Sequence, residues 1–279
     1  MGSQVQIFKK VNAGSFVLDV YNAAENSFGV ASVIVYGQED AVLVDAQFTL
    51  ADAEKVAQEI KNSGKNLTAI YISHGDPDFY FGLQVFKTYF PDVTAYASPA
   101  TVEHIKATAQ KKLEVWGKNL GKAITSNVVL PQVLQGNSLK LEGQNLAIVG
   151  LDESPRNTFV WIPSAKAVVG GINVFGNTFH LWMADAQTHE ARAGWISVLD
   201  KIGALQPEIV VPAHGTSNAD LDLTSVNYTK DYILFYEDAL KKYTSSESLI
   251  KALKEKYPSA GFETALQLGA KVNTGEMKW

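Results

Sequence analysis

The segment ISHGDPDFYFG, residues 72–82, sets one histidine and two aspartates at alternate positions, His74, Asp76 and Asp78, in a turn that also holds Gly75 and Gly82. A second histidine, His214, closes the apolar run EIVVPAHG at 208–215. An imidazole and two carboxylates converging with a distant imidazole can bind a divalent ion, because mixed nitrogen and oxygen ligation suits Zn²⁺, Mn²⁺ and Fe²⁺. The same residues have a structural use as well. Asp76-Pro77 is a common turn dipeptide, Asp78 is placed to cap a helix beginning at Phe79, and a histidine at a strand end is often a hydrogen-bonded structural group.

The turn must be positioned by the elements around it. SVIVYG (32–37) and AVLVDA (41–46), separated by Gln38, Glu39 and Asp40, read as a hairpin, and the continuous Val42-Leu43-Val44 implies burial on both faces. LADAEKVAQEIKNSG (50–64) carries Ala53, Val56, Ala57 and Ile60 at helical spacing with Gly64 as a stop. LTAIYISH (67–74) is a strand, 79–90 a helix ended by Pro91, VTAYAS (93–98) a strand, and 99–117 a helix with Pro99 in its opening turn. In the second half, 138–151 alternates as a hairpin around Gly143, 158–163 and 167–175 read as strands, 189–205 as an amphipathic helix, and 208–215 as a strand. Tyr232, Phe235, Tyr236, Ala239, Leu240 and Tyr243 then form a helical stripe, followed by a helical tail. This order predicts an α/β chain with two sheets packed together and helices outside. With no linker-like stretch, it is expected to be one domain over 1–279, with a core at 27–215 and a helical extension at 224–279.

Composition narrows the function. The chain has 279 residues, 46% hydrophobic, so it can bury a large core. No apolar run approaches the roughly 20 residues of a spanning helix, so a membrane partner is not expected. The net charge of −5 comes from interspersed residues, and the pairs Lys111-Lys112 and Lys241-Lys242 read as solvated helix faces, which disfavours nucleic acid and leaves a small molecule as the expected partner. Oligomeric state stays open. The absence of cysteine excludes thiol chemistry and disulfides. The opening MGSQVQIFKK lacks a signal-peptide core, while MGS is compatible with a removed leader, which leaves the compartment open.

AVLVDA, a helix, IYISHGDPDFYFG, AVVGGINVFGNTFHLWMADA and IVVPAHG together resemble, in order and spacing over about residues 27 to 215, the metallo-β-lactamase-fold hydrolase superfamily. The resemblance implies a four-layer αβ/βα sandwich, with its site along one edge between the sheets and extra C-terminal helices here. The family turn reads H-x-H-x-D-H. His74 falls on its first histidine, Asp76 on the second, Asp78 on the aspartate and Phe79 on the last histidine. The family's loop histidine aligns with Glu153, beside Asp152, its bridging aspartate with Ile172, and its closing histidine with His214.

What the resemblance implies is therefore altered. One metal position would be made by His74, Asp76 and Glu153, a harder and more anionic set than three histidines, which would shift preference from Zn²⁺ toward Mn²⁺, Mg²⁺ or Fe²⁺; the expected cofactor is one zinc, manganese or iron ion, or none. The other keeps only Asp78 and His214, since Phe79 and Ile172 cannot ligate, and two ligands without a bridging carboxylate make a weak site. The expectation is a hydrolase of a small ester, lactone, amide or thioester with at most one metal ion and with Asp78 or His214 as general base. The alternative is a metal-free, non-catalytic relative that binds a small molecule in the inherited cleft. Phe79, Ile172 and His180 are expected to line the substrate pocket, and His104 and His189 to lie at the surface. An interface built from the aromatic C-terminal helices is a third use, although that stripe more simply packs on the sandwich.

Overall fold

The computed structural model describes residues 8–279; residues 1–7, where a leader was considered, lie outside the described part. The first sheet runs in the order β1 (Lys9–Ala13), β2 (Phe16–Asn22), β3 (Ala31–Tyr36), β4 (Asp40–Val44), β5 (Asn66–Ile72), β6 (Ala95–Ala97) and β7 (Gln132–Val133). It is antiparallel from β1 to β4 and parallel from β4 to β7. The second runs β12 (Ile209–Val210), β11 (Ala167–Val169), β10 (Phe159–Ile162), β9 (Gln144–Val149) and β8 (Ser138–Leu141), with only β11 and β12 parallel.

Strand alternation sorts the apolar residues into layers. Val33, Val35, Val42 and Val44 point between the sheets, where they meet Leu146, Ile148, Val160 and Ile162. Ile34, Leu43, Ile70 and Ile72 point the other way, onto Val56 and Ile60 of α1 (Leu50–Ser63) and the helices beyond it. That is why Val42-Leu43-Val44 reads as continuous. Burying each such side chain contributes about 1.5–3 kcal/mol. On the far side, Phe159, Val168 and Val210 pack under α5 (His189–Ala204), α6 (Leu223–Lys242), α7 (Ser246–Lys256) and α8 (Glu263–Asn273). The result is the expected αβ/βα sandwich with extra C-terminal helices. In α6 the buried line is Tyr232, Ile233, Tyr236 and Ala239, while Tyr243 is exposed and lies past the helix end.

Two expected elements differ, and both border the turn. The helix predicted over 79–90 is broken into α2 (Pro77–Tyr80) and α3 (Leu83–Tyr89). Gly82 presses on the loop after β4 so closely that a Cβ there would lie 1.9 Å from the Ala46 carbonyl oxygen. The backbone bonds go to that loop: Ala46 N–H donates to Phe79 O at 2.7 Å and Gly82 N–H to Gln47 O at 2.9 Å. The strand predicted over 167–175 stops at Val169, because Gly170 and Gly171 turn the chain away at φ 69° and 81°. The long helix after Ser98 is α4 (Pro99–Leu120), capped by the Ser98 hydroxyl, which accepts from Thr101 N–H at 3.1 Å.

Candidate functional site

Ser73, one residue before the turn, fastens three segments. Its N–H and hydroxyl donate to Asp45 Oδ1 at 2.8 Å and Oδ2 at 2.6 Å, and its hydroxyl oxygen accepts from Gly171 N–H at 2.7 Å. Burial pushes the Asp45 carboxyl up to about 7, against the two bonds from Ser73. The ends of β4, β5 and β11 are thereby held together under the turn.

Within the turn, His74 Nδ1 accepts from Asp76 N–H at 3.2 Å, which puts the ring proton on Nε2. Burial lowers the His74 pKa, so the contact of 3.5 Å between its Nδ1 and Asp76 Oδ2 is not an ion pair at neutral pH. The cation beside Asp76 is Lys112 of α4. Its Nζ lies 2.7 Å from Asp76 Oδ1 and 3.1 Å from Gly75 O. Burial penalises the Asp76 carboxylate, but positive charge at His74 and Lys112 outweighs that penalty and holds it at about 2. Lys112, bonded to both the carboxylate and the Gly75 carbonyl, is its direct partner.

Asp78 and His214 form the second cluster. His214 is clamped between the strand edge at Val30 and the segment at Phe175. Its Nδ1–H donates to Phe28 O at 3.0 Å, which leaves Nε2 facing Asp78 Oδ2 at 3.6 Å. Burial drives the His214 imidazolium down to about 4 and pushes the Asp78 carboxyl well above its usual value, so the charged form of each is disfavoured there. Asp78 does not cap a helix. The N-cap of α2 is Asp76, whose side chain makes no capping bond, and Asp78 sits buried inside the first turn. Phe79 stands between the histidines, its ring centroid 5.3 Å from that of His74 and 5.7 Å from that of His214.

These groups open on a cleft of about 1000 Å³. His74, Asp76, Asp78, Ile172 and His214 line it, as expected from their positions in the chain. Three expectations are corrected. Phe79 is 1% exposed and packs in the core under α1 and α3, so it fills the place of a ligand rather than lining a pocket. His180 is buried on the far side of the second sheet, where its Nδ1 lies 3.0 Å from Tyr232 Oη, and it does not border the cleft. Glu153 reaches the rim, but its carboxylate is 67% exposed and paired with Lys201 at 3.0 Å, so it does not join His74 and Asp76. Among the described residues no group of three or more His, Asp or Glu side chains is placed to hold a metal ion. The side chains present therefore do not fit the family's metal centre.

Other cleft residues went unread in the sequence. Along α4, His104, Thr108, Lys112 and Trp116 recur every fourth residue and face the cleft together. His104, expected at the surface, is half-buried with its ring edge against Gly75. Lys112, expected on a solvated face, has a side chain only 21% exposed. His189 is exposed, as expected. Trp195 Nε1–H donates to Asn173 O at 2.7 Å and steadies the loop that carries Ile172.

Among known proteins, residues 26–214, more than half of the chain, match the Metallo-beta-lactamase superfamily. No curated protein sequence matches. The fold is similar to that of the DIM-1 metallo-β-lactamase, with 18% identity, a TM-score of 0.58 and coverage of 82% of this chain and 98% of that one. It is similar too to a metallo-β-lactamase from Pontibacter korlensis, at 17% identity, TM-score 0.57, and 81% and 99% coverage. For the metallo-β-lactamase IND-7 the values are 16%, 0.59, and 83% and 100%. By the family match, and with a sandwich whose altered turn sits at the family's site, this chain belongs to the metallo-β-lactamase superfamily.

Proposed function

We propose that this protein binds a small molecule in the cleft between its sheets with its own side chains and without a resident metal ion. The observation that carries this reading is the Lys112 ammonium, 2.7 Å from Asp76 Oδ1 and 3.1 Å from the Gly75 carbonyl, where it balances the charge of the Asp76 carboxylate. Asp78 and His214 face each other at 3.6 Å, and burial disfavours the charged form of each. Phe79 and Ile172 supply no ligand atoms, and Glu153 is engaged by Lys201. A metal-held hydroxide is the usual nucleophile of such sites, and its support is missing here.

A second reading keeps the superfamily's chemistry: hydrolysis of a small ester, lactone, amide or thioester with one zinc, manganese or iron ion. What favours it is Asp78 Oδ2 and His214 Nε2 facing each other at 3.6 Å on the cleft lining, two suitable donors. A fragment screen read by thermal shift, run with and without EDTA, separates the two. The expected result is a set of binders whose midpoint shifts are the same in both buffers. Ester hydrolysis that appears only with added divalent metal would replace the first reading with the second.

A further inference from the structure

The cleft carries features that the turn does not use. Phe28, Phe48, Trp116, Trp182, Phe262 and Trp279 all line it. They form one wall: the Phe28 ring lies 5.3 Å from Phe48, 5.4 Å from Trp116, 5.8 Å from Trp182 and 5.9 Å from Phe262, and Trp279 extends the wall from Trp182 at 5.9 Å. These rings are not all sealed into the core. Trp116 and Trp182 are half-buried and Trp279 is 56% exposed. Phe28 and Phe262 hold positive φ, 63° and 65°, in the left-handed region that an aromatic residue rarely adopts. Both rings nevertheless meet on the cleft side.

The charges around the wall are unevenly engaged. Lys112 is bound to Asp76 and Lys201 to Glu153. Glu190 is held by its own amide and the Thr188 hydroxyl at the start of α5, and Asp185 accepts the Trp279 indole N–H at 2.6 Å. Among the described residues, Arg156 and Lys111 line the cleft with no carboxylate partner. The charge of Arg156 reaches both His74 and His104, which places it at the turn end of the cleft.

We propose, resting on the metal-free binding reading, that the ligand of this cleft is an anionic aromatic small molecule, an aryl or polycyclic carboxylate, stacked on Phe28, Trp116 and Trp182 and received at its acid group by Arg156 and Lys111. Flat aromatic faces favour a planar ring partner, and a guanidinium fork takes a carboxylate through two parallel hydrogen bonds. The volume of about 1000 Å³ lies at the top of the range for drug-sized ligands, so the body has room for more than one ring. A cationic aromatic, the other ligand such a wall attracts, would face Arg156 and Lys111, with Asp185 and Glu190, both already hydrogen-bonded, to favour it.

Calorimetric titration with three matched probes tests the assignment: naphthylacetate, the uncharged naphthylethanol and the cationic naphthylethylamine. Naphthylacetate is expected to bind at least about tenfold more tightly than the other two, the effect of one charge-assisted hydrogen bond. Arg156→Gln should remove that preference while leaving naphthylethanol unchanged, and Trp116→Leu should weaken all three. Arg156 is exposed, so its variant should fold as the parent does; Lys140→Gln, a charge change on β8, should retain parental affinities. Equal binding of the three probes, or tighter binding of the amine, overturns the anionic assignment while leaving small-molecule binding in place. Absence of binding by all three, with fragments from the EDTA screen still bound, overturns the aromatic ligand class alone; absence in both overturns both proposals.

Discussion

Lys112 Nζ and Asp76 Oδ1 lie 2.7 Å apart across 36 residues of sequence, joining the middle of α4 to the turn after β5. In a metal site the positive charge that a carboxylate needs is supplied by the ion. Here a side chain supplies it, and the ammonium also takes the Gly75 carbonyl. A covalently attached cation cannot dissociate, so the turn keeps its charge balance in the presence of a chelator.

Removing the ammonium should therefore strand the carboxylate. Lys112→Met is expected to cost about 1–2 kcal/mol, at the lower side of values for charged hydrogen bonds because both side chains keep some exposure, 21% and 30%. Asp76→Asn in the same background should recover part of the loss. Urea melts of the parent, both single variants and the double variant measure the coupling, and additive losses would show that the pair does not act as a unit.

The substitutions at Phe79 and Ile172 should separate this chain from metal-binding relatives. Phe79→His, Ile172→Asp and Asp76→His together place donors beside His74, Asp78 and His214 and release Lys112 from its carboxylate. Zn²⁺ uptake by the folded triple variant, absent in the parent, is the expected calorimetric outcome. Glu153→His adds nothing in this account, because that position faces Lys201.

His180 belongs to the packing of α6, not to the cleft. His180→Ala leaves the buried Tyr232 hydroxyl without its ring-nitrogen partner and should cost about 1–3 kcal/mol. Cleft ligands should bind the variant with parental affinity. A calorimetric loss of affinity with unchanged stability would place His180 in the site after all.

The buried acids and histidines oppose each other in pH dependence. Asp45 holds its proton up to about 7 in the fold against 3.8 as a free group, so its contribution is full below 3.8 and is lost as pH rises toward 7. His180 and His214, lowered from 6.5 to about 4, contribute stability above 6.5 that is lost as pH falls through 4. Asp45→Asn removes the first term, so stability should climb more steeply with pH between about 4 and 7 than in the parent. Melting midpoints across that range are the readout, and an unchanged slope would mean that Asp45 is ionised throughout.

Much of the sandwich was legible because strand runs such as Val42-Leu43-Val44 and helical spacing such as Ala53, Val56, Ala57, Ile60 depend on local burial. The hairpin of β1 and β2 was missed: its strands mix polar and apolar residues, as in Lys9–Ala13. The breaks at Gly82 and Gly170 escaped because tertiary contact, not propensity, ends those elements. In the turn, His74, Asp76, Asp78 and His214 were legible by type. Lys112 was not: it lies 36 residues beyond Asp76, and the apolar stripe of α4, Val102, Ile105 and Ala109, drew attention away from the adjoining line of His104, Thr108, Lys112 and Trp116 that borders the cleft.

Elemental analysis of the protein purified without chelator or affinity metal decides whether the cleft works without a resident ion. No stoichiometric zinc, manganese or iron is expected, since neither the lysine-bound aspartate nor the two donors of the Asp78–His214 pair make a tight site. About one ion or more per chain, retained through dialysis, would contradict it and return the site to metal chemistry.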